Sequence, residues 1–190
     1  MSTLTVQTLQ APTSGANANK VLIPSGHTLD ASSGSVDASN GLTTPAGHVI
    51  QTVTGTFTTD TVISTGGYTS IGSLAITPKF ANSKILISST NHIYLNSGTA
   101  SQWRAANFKL FRDSSAILTG EEYDSAIYSN SANTRFMLPS TVNYHDTPNT
   151  TNAVTYSIQY NRRNSDTTNI IVNHSSYGRQ GFMSLQEIAQ

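Results

Sequence analysis

The side chains that could do chemistry in this sequence are few and scattered. Glu121 and Glu122 are adjacent, and on a β-strand adjacent side chains leave on opposite faces, which denies the two carboxylates a shared site. A general acid/base pair with Asp124 or Asp146 would have to form across strands. The alternative for each is an exposed rim carboxylate. Five histidines, His27, His48, His92, His145 and His174, show neither H-x-H nor H-x-x-x-H spacing, so no local metal-ligand set is present. The absence of cysteine removes thiolate metal sites, Cys nucleophiles and a disulfide framework together. Gly66-Gly67 belongs to a turn and opens no helix, which argues against a phosphate-cradling loop. The expectation is a protein without catalytic residues, metal or cofactor, and not an enzyme.

Recognition is better served, by aromatic residues. Trp103, Tyr123, Tyr128 and Tyr177 lie in polar surroundings, and Trp and Tyr offer large amphipathic contact area at low entropic cost. Two readings stand for each: a receptor contact, particularly to a sugar ring, or a residue that caps the core or lines a subunit interface.

The elements that must position these residues are strands. Only 11% of the 190 residues are charged, and Ser, Thr and Asn take the place of the missing Lys and Glu. That is a composition of strand formers and turn formers. Period-two alternation dominates from Gly47 onward. "GHVIQTVTGTF" puts Val49, Val53 and Phe57 on one face and Thr52, Thr54 and Thr56 on the other. "SKILISSTNHIYL" groups Ile85, Ile87, Ile93 and Leu95, and "AVTYSIQY" groups Val154, Tyr156, Ile158 and Tyr160. "ANFKLFRD" reads as a strand entering a turn at "RDSS", "NIIVN" and "FMSLQEIAQ" complete the set, and "EEYDSAIYS" is ambiguous between helix and strand. Between them lie "STGGYTS", "TPKFANS", "LNSGTAS", "NSAN", "HDTPNTTN" and "NRRNSDTTN". About eight strands punctuated by turn signals is the pattern of a sandwich, jelly roll or barrel.

Residues 1–46 differ in texture. No aromatic residue precedes Phe57, and the small clusters "LTVQTL", "KVLI" and "HTL" carry too little apolar surface to close a core. The predicted organisation is an N-terminal arm over 1–46 and a sandwich over 47–190. The formal net charge of zero argues against nucleic acid, since tracking phosphates requires clustered Lys and Arg and only Arg162-Arg163 forms a doublet. "MSTLTVQTLQAPTSG" has no basic n-region and no apolar h-region, and no run reaches transmembrane length, so neither a signal peptide nor membrane insertion is expected. The sequons at Asn149 and Asn173 are read as chance matches.

The order of "GHVIQTVTGTFTTDTVISTGGYTSIGSLAITPKFANSKILI", "FKLFRDSSAI", "HDTPNTTNAVTYSIQY", "IIVNHS" and "MSLQEIAQ" resembles the C-terminal domain of tailed-bacteriophage tail-fibre and related virion proteins. The leading "STLTVQTLQAP" and "IPSGHTLDASSG" are similar to the first segments of phage structural proteins, those of marine phages especially. The segment from Trp103 to Leu138 departs from the pattern except at "FKLFRD", and such a variable region is where binding specificity is expected. The resemblance implies an all-β, jelly-roll-like antiparallel β-sandwich assembled as a homotrimer, made in the host cytoplasm and carried in the virion. Within a trimer, Val21, Ile23, Leu29 and Val36 of three arms would meet near the threefold axis and bury what one chain leaves exposed.

These expectations amount to a trimeric tail fibre or receptor-binding protein. It would be attached to other virion proteins through its arm and would touch a host surface polysaccharide. A capsid decoration protein or head fibre of the same fold is the alternative. A glycan-cleaving enzyme and a small cellular lectin are weaker readings. Tailspike-type hydrolases need paired carboxylates on a long groove, and a lectin needs no sticky arm.

Overall fold

The structure, a computed structural model, describes residues 13–15, 45–64, 67–96, 98, 100–120, 124–162 and 169–190. The stem candidates Val21, Ile23, Leu29 and Val36, and the receptor candidate Tyr123, lie outside the described residues. Thr44–Gln190 forms one compact unit.

The strands of this unit are β1 (Val49–Phe57), β2 (Thr61–Ile63), β3 (Thr69–Ile76), β4 (Lys84–Asn96), β5 (Gln102–Arg112), β6 (Ser115–Thr119), β7 (Ser125–Ser129), β8 (Arg135–Asp146), β9 (Val154–Arg162), β10 (Ile170–Val172) and β11 (Gly181–Ile188). The ambiguous "EEYDSAIYS" resolves in its latter part as β7. The only helical turn among the described residues is the 3-10 segment Ser175–Tyr177. None of these residues belongs to a helix long and apolar enough to cross a membrane.

Every strand pairing is antiparallel. Strand β4 pairs with β8 from Ile85↔Asp146 to Asn96↔Arg135. Its other edge is shared, with β11 along Lys84–Thr90 and β10 at Ile93 and Tyr94. Thus β10 and β11 are two pieces of one row. In the same way β1 and β2 share a row, and so do β6 and β7, which both pair with β5. One sheet therefore reads β1/β2, β10/β11, β4, β8, and the other reads β3, β9, β5, β6/β7. Numbered along the chain, these rows run 1-8-3-6 in one sheet and 2-7-4-5 in the other, the double Greek key of a jelly roll.

Alternation explains the core between the sheets. On β4 the inward positions are Ile85, Ile87, Ser89, Asn91, Ile93 and Leu95, and on β9 they are Val154, Tyr156, Ile158 and Tyr160, all buried. Burying each large aliphatic side chain contributes about 1.5–3 kcal/mol. Val49 departs from the expected face. Between Val49 and Gln51 the register slips by one residue against β11, and this bulge turns Val49 outward to 51% exposure. Val53 and Phe57, beyond the bulge, pack against the core as the alternation predicts.

The register also places most of the described connections at one end or the other. Residues 45–48, 77–83, 113–114 and 147–153 lie at one end, where Gly47 N–H donates to the Ala189 carbonyl (2.8 Å) and Ala189 N–H to that of His48 (2.9 Å). The strand ends Ile63, Thr69, Asn96, Gln102, Ser129, Arg135, Arg162 and Ile170 lie at the opposite end.

Candidate recognition surface

The conspicuous carboxylates sit at the end that holds residues 45–48, and they are saturated. Glu187 lies on the inward side of β11 and is fully buried. Its Oε1 accepts from Lys79 N–H (2.7 Å), Phe80 N–H (3.1 Å) and Ser83 Oγ (2.7 Å), and its Oε2 accepts from Gln51 Nε2 (2.6 Å). The Gln51 amide also reaches the Thr77 carbonyl at 2.7 Å. One buried charge thus fastens the whole β3–β4 connection, "TPKFANS", beneath β1 and β11. Burial and four donors leave it no role as a base.

Asp146 anchors a second network. Arg112 Nη1 lies 3.0 and 2.9 Å from its two oxygens, and the Tyr156 hydroxyl donates to Oδ2 at 2.7 Å. Burial, and then the neighbouring carboxylate, push the Tyr156 phenol far above its ordinary range. Beside it, Asp113 sits at φ 53 in the β5–β6 turn and accepts from Thr155 N–H (2.9 Å). Gln51, Ser83, Arg112, Asp146, Tyr156 and Glu187 all belong to the motifs that carry the phage resemblance; Gln51, Ser83 and Glu187 hold the β3–β4 connection, and Arg112, Asp146 and Tyr156 tie β5, β8 and β9 together. These motifs encode the fold.

Midway along the sandwich, two rows break side by side. Asn173, at φ 56 and buried, ends β10. Its Oδ1 accepts from His92 N–H (3.0 Å) and its Nδ2 donates to Asn91 Oδ1 (3.1 Å). In the folded chain the Asn173 side chain is therefore buried and its amide engaged. Across the break, Asp60 accepts from Ser175 N–H at 2.6 Å, which holds its carboxyl below the usual range, with His174 a lesser cause. His174 Nδ1 lies 3.2 Å from Asp60 Oδ2, an ion-pair separation without hydrogen-bond geometry.

Trp103, Tyr128 and Phe136 are exposed toward the far end, whereas Phe80 is exposed at the end that holds residues 45–48. Trp103 on β5 and Tyr128 on β7 are direct cross-strand partners, with ring centroids 5.3 Å apart and exposures of 45% and 48%. Behind them Arg104 is buried, donating through Nε to the Asn96 carbonyl (3.3 Å) and through Nη1 to Gln102 Oε1 and the Trp103 carbonyl (both 2.9 Å). That arrangement ties the start of β5 to the end of β4.

Tyr177 stands apart from this pair, on the outer face of the other sheet. Its ring stacks on Tyr94 at 5.7 Å and meets His174 edge-on at 4.9 Å. Together with Tyr94, Arg135, Phe136, Met137 and Arg179 it lines a cavity of about 170 Å3. Burial raises the Tyr94 phenol above its usual range, and nearby Arg135 partly offsets this. Sequence reasoning found Tyr177 and missed the rest. The available signal was parity: with Ile93 and Leu95 inward, Tyr94 must face out.

Among the described residues no cluster of His, Asp and Glu is arranged to hold a metal ion.

No protein-family model matches the chain, and no curated protein matches it. Among solved structures it is similar to one of the infectious bursal disease virus Gx strain, at 14% identity and TM-score 0.38, covering 74% of this chain and 37% of that one. A structure of the Gt strain of the same virus matches at 10% identity and TM-score 0.38, covering 75% of this chain and 39% of that one. The chain thus spans well under half the length of either. At these scores the likeness carries no argument.

Proposed function

We propose that this chain is a non-enzymatic virion structural protein, a homotrimeric tail fibre or receptor-binding protein of a tailed bacteriophage that touches host surface glycan. The observation that carries this reading is the division of labour between the two ends of the sandwich. The end holding residues 45–48 spends its polar residues on the Glu187 and Asp146 networks, while Trp103 and Tyr128 present paired aromatic surface toward the other. An arm over 1–46 supplies attachment to other virion proteins and the threefold contacts of Val21, Ile23, Leu29 and Val36. The variable Trp103–Leu138 segment, which includes Trp103, Tyr123 and Tyr128, supplies the receptor contact. Three linked copies convert weak sugar binding into useful avidity.

Size-exclusion chromatography with light scattering on the full chain tests the assembly. A trimer at micromolar concentration is expected, and a monomer overturns the proposal. Electron cryomicroscopy of the particle, with the chain labelled, distinguishes a tail position from the capsid position that a decoration protein or head fibre of the same fold would occupy.

A further inference from the structure

The cavity on the outer face of the β4–β8 sheet has a composition of its own. Tyr94 and Met137 are cross-strand partners facing outward, and Phe136, the preceding residue on β8, also lines the cavity. Tyr177 and Arg179 come from the excursion between β10 and β11, and Arg135 comes from the edge strand β8. Both arginines are exposed, and among the described residues neither has a carboxylate partner. The acidic group on the excursion's flank, Asp60, is already engaged by Ser175 N–H and His174.

The excursion itself buries none of the residues of its 3-10 turn, so the core does not account for it. Yet it is firmly held. Asn173 is locked to His92 and Asn91, Asp60 accepts from Ser175, and Gly178 N–H closes the turn onto the Ser175 carbonyl at 2.8 Å. A polar network, buried at Asn173 and exposed at Asp60 and Ser175, thus holds the turn that carries an exposed tyrosine before any ligand arrives, which lowers the ordering cost of binding.

We infer that this cavity binds one carboxylate-bearing sugar residue, its ring against Tyr177 and Tyr94 and its carboxylate between Arg135 and Arg179. Planar guanidinium groups match a carboxylate, and an aromatic face accommodates the apolar face of a pyranose. The volume of about 170 Å3 falls below the roughly 300 Å3 at which drug-sized pockets begin, so it takes a single ring of a longer chain. The inference rests on the glycan-binding reading proposed above and names the class of sugar: a uronate within an acidic polysaccharide.

Isothermal titration of the full chain with trigalacturonate, maltotriose and inorganic phosphate tests it. Trigalacturonate is expected to bind, maltotriose to bind at least tenfold more weakly, and phosphate to compete poorly. Arg135→Gln and Arg179→Gln are each expected to weaken trigalacturonate about tenfold with unchanged thermal melting, and Tyr177→Ala to do the same while Tyr177→Phe retains affinity. Equal binding of maltotriose, or of phosphate alone, overturns the inference, as does indifference to both arginine substitutions. If the host's polysaccharide binds the Arg135→Gln/Arg179→Gln double variant as well as the parent, this site falls and the receptor-binding reading stands. Failure of the parent chain to bind trigalacturonate overturns the inference alone, and failure to bind either trigalacturonate or host polysaccharide sinks both.

Discussion

Gln51 and Glu187 are 136 positions apart in the chain and 2.6 Å apart in space. Their contact closes a ring of hydrogen bonds that also holds Thr77, Lys79, Phe80 and Ser83. The first and last strands of the sandwich and the β3–β4 connection therefore depend on one carboxylate.

Replacing that carboxylate by an amide should be costly even though the shape is kept. Glu187→Gln presents an NH2 group to donors that need an acceptor, and hydrogen bonds to a charged group are worth about 1.5–3 kcal/mol each. A loss of about 3 kcal/mol or more is expected in denaturant titrations at fixed protein concentration. A loss under 1 kcal/mol would mean that the β3–β4 connection is held by other contacts.

Alkaline pH should unfold the protein through its buried phenols. Burial pushes Tyr160 up to about 12, despite the bond from its hydroxyl to Ser140 Oγ at 2.9 Å, and Tyr156 is raised as well. The folded state keeps its phenolic protons where the unfolded chain has begun to release them near pH 10. Stability is thus unaffected below about pH 10 and falls as pH rises toward 12, by about 1.4 kcal/mol per pH unit for each such group. Tyr160→Phe should roughly halve the slope of melting temperature against pH in that window; an unchanged slope would remove Tyr160 as a cause.

Gly72 is required by a ring. At the bulge in β3, a Cβ on residue 72 would run into the Phe57 side chain. Gly72→Ala should destabilise by about 1–3 kcal/mol, as overpacking does. Adding Phe57→Leu should recover part of that loss, so a double-mutant cycle with no coupling would refute the clash.

The Trp103–Tyr128 pair should behave oppositely. Both rings are about half exposed, so Trp103→Ala and Tyr128→Ala are expected to shift stability by no more than about 1 kcal/mol. Each should nonetheless reduce retention on immobilised host polysaccharide about tenfold or more. Undiminished retention would return the pair to the role of a sheet-edge cap.

What the sequence made legible was local. The alternation in "SKILISSTNHIYL" and "AVTYSIQY" named the inward aliphatic residues of β4 and the inward residues of β9, because a period of two needs no knowledge of the partner; the inward Ser89 and Asn91 were not named. Strand β8 was illegible for a matching reason: Pro139 interrupts "RFMLPSTVNYHD", and only the fold reveals that β8 pairs on one side alone, where proline is tolerated. Val49 failed through a one-residue bulge that no pattern marks. The polar networks were out of reach for another reason, since the partners of Glu187 are 104 to 136 positions away. Trp103 and Tyr128 could be suspected singly, but their pairing follows from the turn back through β6 and β7. The cavity escaped because its arginines and aromatics come from β4, β8 and the β10–β11 excursion.

The insertion of β11 between β1 and β4 has a kinetic corollary. The earliest strand waits for more than a hundred further residues before its neighbour exists, so the loop-closure entropy must be surrendered before any reward arrives. Such a chain ripens on a timescale of milliseconds to seconds, and meanwhile the lone ribbon Val49–Phe57 is an adhesive edge. The threonines that stud its outer side, Thr52, Thr54 and Thr56, keep one of its faces hydrated through that interval.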